Sequence, residues 1–325
     1  MAAKVAKARI ITCRPKQLPQ EKLIHAARRS VQINPMNHAP VERLASLMPG
    51  FAPTHMHLAV LIAKYWGPAG VHLSVGFLDN PTMALQKRIL SHMNAWNKTA
   101  NVKFSLSKTS PDVRIARIEN DPVNDGYWSY VGTQIREIDD GEPTMNLEAF
   151  TMSTPESEFR RVVRHETGHT LGFEHEHMRR ELVKRIDVQK AIVFYRDDQG
   201  WSPQEVREQV LTPIEERSLR GTLHADPNSI MCYQIEGSIT KNGKPIIGGL
   251  DIDKTDFDFA AKLYPKRLRD ADGAAAKKPA AKKKPAAKKK PAAKKKPAAK
   301  KKPAGKKQVP RRALRSVGTT TTRNR

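Results

Sequence analysis

Cysteine is almost absent from this chain: 325 residues carry only Cys13 and Cys232. At most one bridge can form, so a disulfide scaffold is excluded and packing must hold the core. Long apolar runs are also missing. The nearest, Leu58 to Ala63, falls far short of the roughly 18 residues a membrane helix needs. Residues 1–30 lack the apolar stretch of a secretory signal, because Arg9-Ile-Ile-Thr-Cys13 is short and runs into charge and proline. A soluble, cytoplasmic protein is the default expectation, with leaderless export left open. Acidic residues disappear after Asp272, and residues 274–325 hold 16 Lys and 5 Arg. The first 273 residues are nearly balanced, with 37 basic against 33 acidic groups, so the net charge of +25 belongs mostly to the tail.

That tail repeats Ala-Ala-Lys-Lys-Lys-Pro from about Ala275 to Pro303. The repeats contain no large apolar residue, and a proline in each unit interrupts any alanine-lysine helix. Residues 270–325 are therefore expected to be a disordered basic tail. A polycation of this kind binds nucleic acid by counterion release, with steep salt dependence and no sequence preference. Charge alone identifies a polyanion and no more, so acidic polysaccharide, a membrane surface or plain solubilisation stay open.

What the chain does contain is His165-Glu166-Thr167-Gly168-His169-Thr170-Leu171-Gly172-Phe173-Glu174-His175, which reads HExxHxxGxxH. Histidines four apart on a helix share one face, so His165 and His169 can reach one metal ion. Glu166 can take a proton from metal-bound water. Gly172 permits the left-handed backbone that ends a helix and turns His175 back as a third ligand, leaving a fourth position open. Average residue usage would produce this pattern by chance in on the order of 10⁻⁵ of chains this long. A lone histidine would suit a structural core position; three with this glutamate and glycine point to one Zn²⁺ per catalytic domain. The helix is expected to start at a Ser153 or Thr154 cap with Pro155 at its first position. Phe159, Val162, Val163 and Leu171 give it a buried stripe.

The motif resembles that of the metzincin metalloproteases, and Glu176 directly after the third histidine resembles the astacin-like branch. Asp226-Pro-Asn-Ser229-Ile-Met231-Cys232-Tyr233 is similar to the family's Met-turn, which places a methionine beneath the metal. Smaller likenesses are Trp128-Ser-Tyr-Val-Gly132 and Asp251-Ile-Asp253 through Leu263-Tyr264, so the resemblance spans roughly residues 70 to 265. It implies a zinc-dependent endopeptidase with His165, His169 and His175 as ligands, Glu166 as general base, Met231 as a structural residue and Tyr233 stabilising the oxyanion. It implies an α+β fold: a twisted mixed sheet plus the active-site helix above, and a mostly helical or irregular lower subdomain. Departures are Cys232 and His177, where the branch usually has His and Gln, and the missing disulfides. No prosegment aspartate motif is evident in the first seventy residues. The tail is similar in composition to those of linker-histone-like proteins. A nucleic-acid-binding protein with a catalytically silent metzincin domain is the alternative.

The rest of the chain fits this outline. Val71, Leu73, Val75 and Phe77 alternate as in a half-buried strand, and a helix from Asn80-Pro81 keeps Leu85, Ile89, Met93 and Trp96 on one face. Val102–Leu106 and Val113–Ile115 suggest further strands, with Asp112–Ile118 or the segment after it as the edge that pairs with extended substrate. Helices are expected near Gln20–Arg29, Asp187–Tyr195 and Ser202–Val210. The expected organisation is an N-terminal extension over 1–55, a cover for the cleft or a surface appendage, then a catalytic domain over 56–269 and the tail.

Overall fold

The computed structural model describes residues 13, 16–47, 50, 55, 62–121, 123–175, 180–212, 226–232 and 234–266. The basic tail, Glu176, His177 and Tyr233 lie outside the described residues. Everything described belongs to one compact unit, Met1–Ala275.

A five-stranded mixed sheet forms the upper part: β1 (Val71–Phe77), β2 (Val102–Leu106), β3 (Val113–Ala116), β4 (Tyr127–Ser129) and β5 (Met145–Leu147). Their spatial order is β2-β1-β3-β5-β4, with all neighbours parallel except β4 against β5. The alternation of β1 is realised, since Val71, Leu73 and Val75 are buried and His72 faces out. The helix Met83–Met93 lays Leu85, Ile89 and Met93 into the core, followed by Trp96 in the next turn. It begins two residues beyond Pro81, because the Thr82 hydroxyl caps it by accepting from the Leu85 N–H. The strand Val113–Ala116 is interior rather than an edge. It pairs with both β1 and β5; the edges of the sheet are β2 and β4, and β4 lies in the segment after it, the other position expected for the edge.

The helix carrying the histidines differs from expectation at its start. Pro155 is the N-cap residue, and no side chain caps the first turn. Thr151, Ser153 and Thr154 spend their hydroxyls on one another and on the Thr151 N–H instead. After Glu156–Glu158 the chain widens into a π turn, Phe159–Val163, before the α-helix Arg164–Thr170. Such π turns recur at functional sites because they rotate the face that follows them. Phe159, Val162, Val163 and Leu171 are all buried, each contributing about 1.5–3 kcal/mol if fully removed from water.

The lower part has the short helix Arg180–Val183, the helix Val188–Gln199 capped by Asp187, and Pro203–Val206 opened by a Ser202/Glu205 capping box. A second apolar cluster joins Leu182, Tyr195, Trp201 and Val206 to Ile235 and Ile246. Cys232 is fully buried in it, the packing role its size suggests, and it forms no disulfide. The N-terminal helix runs Gln20–Ile33 and lies along the 3₁₀ turn Gly132–Glu137, with Ser30 and Thr133 sharing a buried hydrogen bond.

Two glycines set how closely these parts approach. Gly132, at φ +51°, has no room for a side chain: a Cβ would lie 1.9 Å from the Lys64 carbonyl oxygen and 2.9 Å from Gly172 Cα. Gly168, inside the histidine helix, lets the Met231 sulfur rest against the backbone; a Cβ there would lie 2.3 Å from Sδ. Gly168→Ala is expected to cost about 1–3 kcal/mol by overpacking, and Met231→Ala about 2–5 kcal/mol by cavity formation. Because the two share one contact, denaturant unfolding of the double variant should show a loss smaller than the sum; strict additivity would contradict this packing.

Candidate active site

The histidine helix ends in a Schellman motif. The Phe173 N–H bonds the Gly168 carbonyl at 3.0 Å, and the Gly172 N–H bonds that of His169 at 2.8 Å, with Gly172 at φ +99°. Two carbonyls beyond these would be left without partners. Trp66 donates its indole N–H to Thr170 at 2.9 Å, and the buried Tyr264 hydroxyl donates to Leu171 at 2.5 Å. The reversal is thus fixed from both sides, and it returns His175 to the helix face.

There the three imidazoles converge. His175 Nε2 lies 3.1 Å from both His165 Nε2 and His169 Nε2. His165 Nδ1 donates to the Ile230 carbonyl at 2.5 Å, and His169 Nδ1 donates to that of Phe173 at 2.7 Å. A carbonyl can only accept, so these bonds fix the tautomer and turn the Nε2 lone pairs inward. Burial also pushes the His169 imidazole down from its ordinary value, which favours the neutral, ligating form. Ligand lengths of about 2.0–2.1 Å at tetrahedral angles require nitrogens about 3.3 Å apart, so this donor set fits one zinc ion.

Glu166 sits beside them, 1% exposed. Burial pushes its carboxyl up to about 8, against a hydrogen bond from Cys13 and the nearby Arg161 charge, which pull it down. Its Oε2 is buried without a hydrogen-bond partner. Glu174 behaves oppositely: burial opposes its ionisation, but Lys64 at 3.0 Å wins and holds it below the usual carboxylate range.

Met231 lies under the helix in a turn held by Asp256. The Ser229 hydroxyl donates to Asp256 Oδ1 at 2.6 Å, the Ile230 N–H donates to Oδ2 at 2.8 Å, and Ser229 Oγ accepts from the Met231 N–H at 3.0 Å. Asp256 also accepts from the Asp253 N–H, within the capping box that opens the helix Lys254–Leu263. One carboxylate therefore orients Ile230, whose carbonyl orients His165. Sequence reasoning passed over Asp256, although Asp253-x-x-Asp256 carries the spacing of a capping box. It also passed over Gly168 and over Cys13, whose sulfur lies 3.4 Å from His169 Nε2.

The arrangement can hold a metal and place a carboxyl beside it. The family model described as Astacin, a peptidase family, matches residues 62–247. A structure of myroilysin is similar over 63% of this chain and 97% of its own, at 29% identity and a TM-score of 0.58. High choriolytic enzyme 1, a hatching enzyme zinc-protease from the medaka fish Oryzias latipes, is similar over 63% of this chain and 94% of its own, at 18% identity and a TM-score of 0.43. No curated protein matches the chain. The family's cofactor is one zinc per catalytic domain, and its fold is the α+β metzincin fold described above. With more than half of its length matched, this chain belongs to the astacin family of zinc metalloproteases.

Proposed function

We propose that the chain is an endopeptidase in which His165, His169 and His175 hold the zinc and Glu166 is the general base. The observation that carries this reading is the convergence of three Nε2 atoms beside a buried carboxyl. When bound, zinc supplies Lewis acidity, lowering the pKa of a water towards about 7 and polarising the scissile carbonyl. Glu166 takes the proton of the attacking water and delivers it to the leaving amine. Ile230 and Phe173 keep the ligating nitrogens aimed through their carbonyls, so little reorganisation is needed during turnover. Tyr233 is assigned to the oxyanion from the family resemblance. Peptide is bound in extended form against the sheet edge, where β4 offers its backbone.

In this reading the catalytic domain spans 56–269, and residues 274–325 tether it to a polyanion, nucleic acid being the preferred one. The composition of the tail supports this part, with 21 basic residues and no acid.

Glu166→Ala should retain one zinc per chain and lose cleavage of an unfolded protein substrate by at least about 10²-fold, the range of general base contributions. Retained turnover would end the assignment. His169→Ala should lose both metal and activity, as zinc analysis beside the same cleavage assay would show. A chain ending near Arg269 should keep its peptidase activity and lose salt-sensitive binding to nucleic acid. Equal binding by the shortened chain would contradict the role given to the tail.

A further inference from the structure

The segment that carries the histidines also carries three arginines, and the ion pair of one leaves part of it unused. Arg160 is half exposed beside Glu156, and Arg164 pairs with Asp251. Arg161 sits in the π turn, about one turn before His165 and Glu166, among the buried Phe159, Val162 and Val163. Its side chain is 25% exposed. Glu158 takes one edge of the guanidinium, where Nε donates to Oε1 at 3.1 Å and Nη2 donates to Oε2 at 2.7 Å. The other end, formed by Nη1 and the second N–H of Nη2, has no hydrogen-bond partner among the described residues. An end of this shape receives a carboxylate through two parallel hydrogen bonds.

The open end stands at the cleft. Arg161 Cζ lies 6.0 Å from the ring centroid of Tyr127, the first residue of β4, and a ring face holds a guanidinium by its quadrupole. Burial pushes the Tyr127 phenol up to about 12, so the ring stays uncharged at neutral pH. β4 is an edge strand and packs against the histidine helix. A peptide laid along that edge turns alternate side chains to its two faces, and those turned to the helix approach Arg161. The Arg161 charge also reaches the buried Glu166 carboxyl, which places it close to the bond to be cut.

We propose that Arg161 is a specificity-determining residue: beside the Tyr127 ring it forms a subsite for an Asp or Glu side chain of an extended substrate. This inference rests on the zinc-peptidase reading above. Glu158 has two roles in it, holding the guanidinium in one orientation and competing with the substrate carboxylate for its charge.

The test uses the full-length, zinc-loaded chain and two matched peptide series. One position is walked across the scissile bond, carrying Glu in one series and Gln in the other, and kcat/KM is compared pair by pair. Because each comparison is a ratio, a general change in turnover cancels. The parent should prefer Glu at one position by about five- to tenfold, between the worth of an exposed ion pair and that of a charge-assisted hydrogen bond. That preference should shrink as ionic strength rises from about 0.05 to about 0.5 M. Arg161→Gln should bring the ratio at that position to about one, Arg161→Lys should keep part of it, and Glu158→Gln should raise it. A parent that cleaves both series equally at every position would overturn the subsite and leave the peptidase standing, whether or not the variants fold. An unchanged ratio in Arg161→Gln would overturn it too. Cleavage of no peptide by the parent would overturn the peptidase reading and the subsite with it.

Discussion

Two buried imidazole lone pairs directed at a third ring, across 3.1 Å, are the constraint on which the rest of this structure depends. Such a cluster repels itself unless a cation sits among the nitrogens, so the surroundings must hold the rings in place. Backbone carbonyls of Ile230 and Phe173 do this by accepting from the outer nitrogens. Each carbonyl is in turn fixed by something distant in sequence: Ile230 by Asp256, and the Phe173 turn by Gly172, Trp66 and Tyr264. The end of the histidine helix, the turn that carries Met231 and the helix Lys254–Leu263 therefore all converge on the same few atoms.

Much of this was legible in the sequence, for identifiable reasons. The histidine helix, its buried stripe and the reversal at Gly172 follow from a period of 3.6 and one glycine. The alternating strands β1 and β2 and the helix facing Trp96 were equally direct. The first turn was not, because Thr151, Ser153 and Thr154 had two ways to use their hydroxyls, and bonding within their own turn won over capping. Which of the two expected segments forms the sheet edge was not readable, because strand order depends on pairings between remote segments, and Val113–Ala116 carries no mark of being interior. The contacts of Gly168 and Asp256 at the site were not readable for a related reason: each matters there through one atom of a partner distant along the chain, Met231 in one case and Ile230 in the other, and the capping-box spacing of Asp256 marks only its own helix.

Cys13 illustrates the same limit more sharply. In the sequence it is a single cysteine in a short apolar patch, well over a hundred residues from the motif. Only the fold brings its sulfur within 3.4 Å of His169 Nε2.

The central claim is that one metal ion lies among His165, His169 and His175. Anomalous diffraction from zinc-loaded crystals, measured on both sides of the zinc edge, tests it most directly. The account predicts one strong difference peak per chain, bonded to Nε2 of all three histidines. A peak elsewhere, or a peak that misses any of the three, would contradict it.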